Sequence, residues 1–227
     1  MAVKYTRRRL LSAAGVGVAF GTALTAFSGD TVAYQSSTTV GDDVEVRVEW
    51  RETYNGSVVE SGDESAEGPV LHVGNAQPGD SGSLAFRVAP ETAGGARVTF
   101  SLSVTENAEN GRNEPERKAD DDTPSRGELG DAVDVSVWYD TGAFGVSELG
   151  GCDGDQSTAE TTLVDGSLLD ADDALANGVR LGGDCLSGDE GVCLGLEWSL
   201  PASSGNAIQG DSVETDLSFT VEPCDSP

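Results

Sequence analysis

Histidine is almost missing from this sequence: His72 is the only one. A zinc centre built on several histidines is therefore excluded within one chain, and no H-E-x-x-H motif occurs. A serine triad would need His72 as its base, and no G-x-S-x-G elbow is present to supply the nucleophile. Carboxylates are plentiful, but no pair stands out as a glycosidase couple. The expectation is that the chain is not an enzyme. Basic residues are also scarce, with 13 Lys and Arg against 40 Asp and Glu and a formal net charge of −27. Such a surface repels nucleic acid and anionic lipid headgroups. Cysteine is absent from the first two thirds. The four cysteines, Cys152, Cys185, Cys193 and Cys224, show no C-x2-C spacing.

The start of the chain is where basic residues do gather. Lys4, Arg7, Arg8 and Arg9 precede an uncharged, Gly- and Ala-rich run from Leu10 to Ala26. This is the order of a secretion signal, and Thr6-Arg7-Arg8-Arg9-Leu10-Leu11 is similar to the twin-arginine export address. Residues 1–26 are read as a removable signal, cut after Ala26, with a second candidate cut after Ala33. A retained membrane anchor is the alternative, and the apolar run is short and glycine-diluted for a span. No stable membrane span is expected after processing. Removal takes away four cations and no acid, so the exported chain is more acidic still. Molar salt shortens the Debye length to about 3 Å and relieves the self-repulsion. An extracellular or cell-surface protein of a halophile is the natural reading.

An even cysteine count in an exported chain favours two disulfides, and four cysteines allow three pairings. Zinc is the alternative. No cofactor is expected, with calcium the one ion left open. Asp153-Gly154-Asp155 is the acidic loop that suits it, as do Asp170, Asp172 and Asp173. The first lacks the glycine at the sixth position and the glutamate at the twelfth of an EF-hand loop. A solvated acidic loop is the competing reading.

Period-2 alternation dominates the rest. It runs through Val44, Val46, Val48 and Trp50, through Leu84, Phe86 and Val88, and through Val98, Phe100, Leu102 and Val104. It returns in Val133, Val135, Val137 and Tyr139, in Leu194, Leu196 and Trp198, and in Val213, Thr215, Leu217, Phe219 and Val221. Each run has one apolar and one polar face, as antiparallel strands over a single core require. Asn55-Gly56 fits a tight hairpin turn, and Gln77-Pro78-Gly79-Asp80 a second turn. Asn55-Gly56-Ser57 is also a glycosylation sequon. Ser167 to Ala176 reads as one short helix capped by Ser167. Residues 107–130 read as a long polar surface loop. Trp50, Trp138 and Trp198 end strand patterns and are read as core, with carbohydrate stacking the runner-up. The fold class is all-β: a jelly-roll-like antiparallel β-sandwich with one short helix and a long polar loop.

Four segments in order carry a family resemblance. They are Phe27-Ser28-Gly29-Asp30-Thr31, Thr39-Val40-Gly41-Asp42-Asp43-Val44-Glu45-Val46, Asn75-Ala76-Gln77-Pro78-Gly79-Asp80-Ser81-Gly82, and Glu197-Trp198 with Pro201, Asn206 and Gln209-Gly210-Asp211-Ser212-Val213 through Phe219. Together they resemble the TasA and camelysin family, whose archaeal relatives include bundling pilins. The resemblance implies a secreted subunit that polymerises into extracellular filaments or pili, for adhesion or a biofilm matrix, with other copies of itself as partner. It implies a donor segment over residues 27–42, in which Phe27, Thr31, Val32, Tyr34, Thr38, Thr39 and Val40 add a strand to the next subunit, and a sandwich domain over 43–227. A flexible tail is what the composition of that segment alone would also allow. The resemblance further implies Cys185 paired with Cys224, leaving Cys152 with Cys193. A Cys185–Cys193 pair is the competitor. A monomeric acidic surface or matrix protein that binds calcium or polysaccharide is the alternative function.

Overall fold

Each alternating run becomes a strand, and turn residues end it. The computed structural model describes residues 3–12, 35–40, 45–58, 76–90, 95–119, 121–147, 149, 151–187 and 191–224. The strands are β1 (Val3–Ser12), β2 (Gln35–Val40), β3 (Glu45–Tyr54), β4 (Ser57–Val58), β5 (Ser81–Pro90), β6 (Ala96–Ala108), β7 (Asp134–Tyr139), β8 (Thr162–Ser167), β9 (Val179–Leu186), β10 (Val192–Ser199) and β11 (Ser212–Pro223). They form two antiparallel sheets. The first runs β1-β11-β6-β9, the second β2-β3-β5-β10-β7-β8, with β4 paired to β3. This is the all-β sandwich the alternation implies.

The core lies between the sheets. Phe86 of one sheet meets Phe100 and Phe219 of the other, with ring centroids 6.3 and 5.5 Å apart, and Phe100 and Phe219 are 5.3 Å apart. All three are buried. Each such ring contributes about 1.5–3 kcal/mol through burial, and aromatic pairing adds about 0.5–1.5 kcal/mol.

The second sheet is buried on part of its outer face as well, which alternation does not announce. Trp138 is fully buried beside its inward neighbour Val137, and Cys193 and Gly195 are buried between inward residues of β10. The segment between β7 and β8 covers them. Cys152 in that segment bonds Cys193, with Cα atoms 5.3 Å apart. Asp140, also buried, holds the flap from its base: its Oδ1 accepts from the Cys152 amide at 2.8 Å and its Oδ2 from the Gly154 amide at 2.7 Å. Gly195 stands opposite Trp138 in the β7–β10 ladder, and a Cβ there would lie 2.1 Å from the indole. Glycine is needed because the ring lies against the backbone.

The turns form as read. Asn55 and Gly56 have φ of +46° and +72°, the left-handed pair of a type I′ hairpin. Ser167 caps α3 (Leu168–Leu175) in a capping box with Asp170. Cys185 bonds Cys224 across Cα atoms 6.1 Å apart, so the pairing is the one the resemblance implies. Two disulfides point to an oxidising environment. Among the described residues no helix is long and apolar enough to cross a membrane.

Residues 107–130 depart from the expected surface loop. They contain α1 (Glu114–Lys118) and the first residues of α2 (Leu129–Ala132), and they bury Glu109, Glu116 and Leu129. The polar composition hid a folded segment, because two of its buried side chains, Glu109 and Glu116, are acids.

Candidate functional sites: a strand edge and a carboxylate pocket

β11 is the last strand of its sheet but one. Val213, Thr215, Leu217, Phe219 and Val221 alternate along one face and are all buried, so that face is committed to the core, and Ser218 on the other face is buried as well. One side is laddered to β6 from Ser212 to Pro223. The other side is laddered to β1, from Val3 opposite Val221 to Ser12 opposite Ser212. β1 is the basic stretch that the sequence marks as the start of a removable signal. The register sets Arg7 opposite Leu217 and Arg9 opposite Thr215.

Of the residues read as a donor strand, Thr38, Thr39 and Val40 lie in β2, opposite Arg47, Val46 and Glu45 of the same chain. Phe27, Thr31, Val32 and Tyr34 lie outside the described residues, as does His72.

The second site joins the far end of β6 to the start of β11. Glu109 follows β6, and Asp211 directly precedes β11. Between them fold α1 and the turn that leads to α2. Asn113 and Glu116 form a capping box on α1, with the Asn113 amide donating to Glu116 Oε2. Asn113 Nδ2 donates to the Gln209 carbonyl at 2.6 Å, and Asn110 Nδ2 to Ser212 Oγ at 2.8 Å, so the segment is tied to β11. Asp211 Oδ2 accepts from the Glu128 and Leu129 amides at 2.7 and 3.1 Å. Asp121 Oδ1 accepts from the Thr123 amide at 2.8 Å.

These bonds occupy one oxygen each of Glu116, Asp121 and Asp211 and leave the other without a partner. Glu109, Glu116 and Asp211 converge with carboxylate oxygens within 4.8 Å of one another, and Glu109, Asp121 and Glu128 form a second such group. Glu109 is 3 % exposed, and Glu116 and Asp211 are at 0 %. Both Glu109 oxygens, Glu116 Oε1, Asp121 Oδ2, Glu128 Oε2 and Asp211 Oδ1 are buried without a hydrogen-bond partner. Burial pushes Glu109 up to about 7, reinforced by the charges of Asp211, Asp121, Glu116 and Glu128. Burial likewise raises Asp211 to about 6, against the pull of its two amide donors.

The other candidates have local roles. Asp153 Oδ1 accepts from the Asp155 amide at 2.9 Å, and the Asp153 carbonyl accepts from Arg51. Neither belongs to the converging groups. Asp170 serves the α3 cap, and Asp172 Oδ1 accepts from the Val104 amide at 2.9 Å. Asn55 is exposed on its hairpin, and its side-chain amide donates to Asp80 Oδ1 at 2.9 Å. Trp50, Trp138 and Trp198 are buried and offer no ring face to a sugar. Sequence reasoning missed Glu109, Glu116, Asp121, Glu128 and Asp211. The visible signal was Asn113-Glu114-Pro115-Glu116, a cap with proline in the first turn and glutamate three residues on.

Fold and sites together define a class: a disulfide-stapled, two-sheet antiparallel sandwich with one core strand laddered to a strand of the chain's own start. No family model and no curated protein matches the chain.

Proposed function

We propose that the exported chain is a secreted structural subunit that polymerises into extracellular filaments by strand donation, for adhesion or a biofilm matrix. The observation that carries this reading is the ladder between β11 and Val3–Ser12. If export removes residues 1–26, that side of β11 is left with unpaired N–H and C=O groups beside a finished core. An open edge of this kind is a template for an incoming strand. The next subunit has one to give. Phe27 to Tyr34 holds Phe27, Thr31, Val32 and Tyr34, no proline and no cation, and it precedes a segment already anchored as β2. The free donor is thereby narrowed from residues 27–42 to 27–34. The four motifs that resemble those of the TasA and camelysin family support the same reading, and so does an acidic, disulfide-bonded composition suited to salt outside the cell.

The test is electron microscopy in molar salt of a chain beginning at Phe27 beside one beginning at Gln35. Fibres are expected from the first and monomers from the second. Fibres from both would remove donation by residues 27–34. The alternative, a monomeric acidic surface protein that takes up calcium, draws on the carboxylate pocket alone. It requires a defined monomer by light scattering for the chain beginning at Phe27.

A further inference from the structure

We propose that the pocket formed by Glu109, Glu116, Asp121, Glu128 and Asp211 is a calcium site, with Glu109 the ligand common to both halves. It stands independently of filament formation.

The first argument is the donor set. It consists of oxygens alone, and all belong to carboxylates. Hard divalent cations take such ligands, whereas zinc and copper favour nitrogen and sulfur. Calcium takes six to eight oxygens at about 2.3–2.6 Å. Two ligands on opposite sides of it are then roughly 4.6–5.2 Å apart. Groups of carboxylate oxygens that all lie within 4.8 Å of one another fit around one such centre. Magnesium keeps several of its waters and seldom sits in an all-carboxylate cage.

The second argument is the unpartnered oxygens. Glu109 is 3 % exposed and neither of its oxygens has a hydrogen-bond partner. Glu116 and Asp211, both fully buried, each spend one oxygen on backbone amides and aim the other at Glu109. Buried carboxylates are paired, protonated or bound to metal, because an uncompensated buried charge is among the most costly groups in a protein. The charges acting on Glu109 are Asp211, Asp121, Glu116 and Glu128, all of its own sign. Arg112 lies beside Asp121, where its charge favours the ionised carboxylate, and donates to the Asp121 main-chain carbonyl at 2.8 Å; it is not among the charges acting on Glu109.

The third argument is the hydrogen bonding behind the carboxylates. Four of the five carboxylates have their free oxygen set by a hydrogen bond on its twin: Glu116 by the Asn113 amide, Asp121 by the Thr123 amide, Glu128 by the Thr123 hydroxyl, and Asp211 by the Glu128 and Leu129 amides. Such outer bonds hold ligating carboxylates in place. The ion would join the segment after β6 to the residue before β11.

The test is thermal unfolding of the purified chain at constant high ionic strength, in excess chelator, in calcium and in magnesium, for wild type, Glu109→Gln and Asp153→Asn. Calcium at a hundredfold over its Kd is expected to raise the wild-type Tm by about 6–10 °C. Asp153→Asn should keep this shift and Glu109→Gln should lose it. In chelator the order reverses, because Glu109→Gln removes a buried unpartnered charge and should melt higher than wild type. That reversal also shows that the variant folds. No calcium shift in wild type, an equal shift with magnesium, or a shift retained by Glu109→Gln would overturn the site.

Discussion

Tyr54 donates a 2.5 Å hydrogen bond from its hydroxyl to Asp80 Oδ2, and this bond clips the two turns of the second sheet together. Asn55 Nδ2 binds the other Asp80 oxygen at 2.9 Å, and the Gln77 amide adds 2.7 Å to Oδ2. Although burial alone would raise Asp80, bonds from Tyr54, Asn55 and Gln77 hold it below the usual carboxylate range. Burial, with Asp80 alongside, drives Tyr54 well above the usual phenol range. A carboxyl with a lowered folded value stabilises the fold above its unfolded value, and that contribution is lost as pH falls through the folded value. Tyr54→Phe and Asp80→Asn should each cost about 1–2 kcal/mol at neutral pH. Denaturant melts should show both gaps closing below the ordinary carboxylate range, and a double-mutant cycle should find the two coupled.

Asp140 should behave in the opposite sense. Burial raises it from 3.8 to about 6, with Asp153 and Glu160 adding to the rise and the Gly154 and Cys152 amides opposing it. Between those two values the folded chain holds a proton that the unfolded chain has released. Stability from this group therefore rises as pH falls from about 6 towards 4. Asp140→Asn should flatten that part of the pH profile, measured as midpoint against pH by chemical unfolding. A wild-type-like slope in the variant would show that Asp140 does not titrate there.

Gly195→Ala should destabilise by about 1–3 kcal/mol, since Trp138 must move to admit a methyl group and the flap above it is closed. Gly205, with open space at its Cβ position, is the control, and Gly205→Ala should stay within about 0.5 kcal/mol of wild type. Near-ultraviolet dichroism should report the displaced indole in the first variant only.

Replacing Cys152 and Cys193 together by serine should release the flap. Losses of about 2–4 kcal/mol are typical for a native bridge. The specific readout is acrylamide quenching, which should reach Trp138 in the variant and not in wild type. Peptide mapping without reduction should recover Cys152 with Cys193 and Cys185 with Cys224.

The legible parts of this chain were those written in alternation and turn chemistry. Val213 to Val221 reads as a strand with one apolar face and folds as one. Asn55-Gly56 and Ser167 with Asp170 specify their geometry by local sterics and hydrogen bonding. Trp138 reads as core and is buried, but on the outer face of its sheet. Its side of β7 is buried only because a distant segment folds over it, and no local pattern carries that information. The carboxylate pocket was illegible for a related reason. Among 40 acids these five attract no notice, and Glu109 and Asp211 meet only because β6 and β11 pair. The role of Val3–Ser12 was hidden too, since the reason for its place lies in β11.

The two disulfides give the sandwich a mechanical character. Cys224, just past β11, is bonded to Cys185, and Cys193, a short way along the chain, is bonded to Cys152. A pull on the chain would travel through those bonds and the short stretch between Cys185 and Cys193. The helix α3 and strands β8 and β11 would be shunted out of the load path. They could not unspool, however far their hydrogen bonds were strained. From Cys152 to Cys224 the chain would behave as a nearly inextensible link, and only the strands before Cys152 could pay out length.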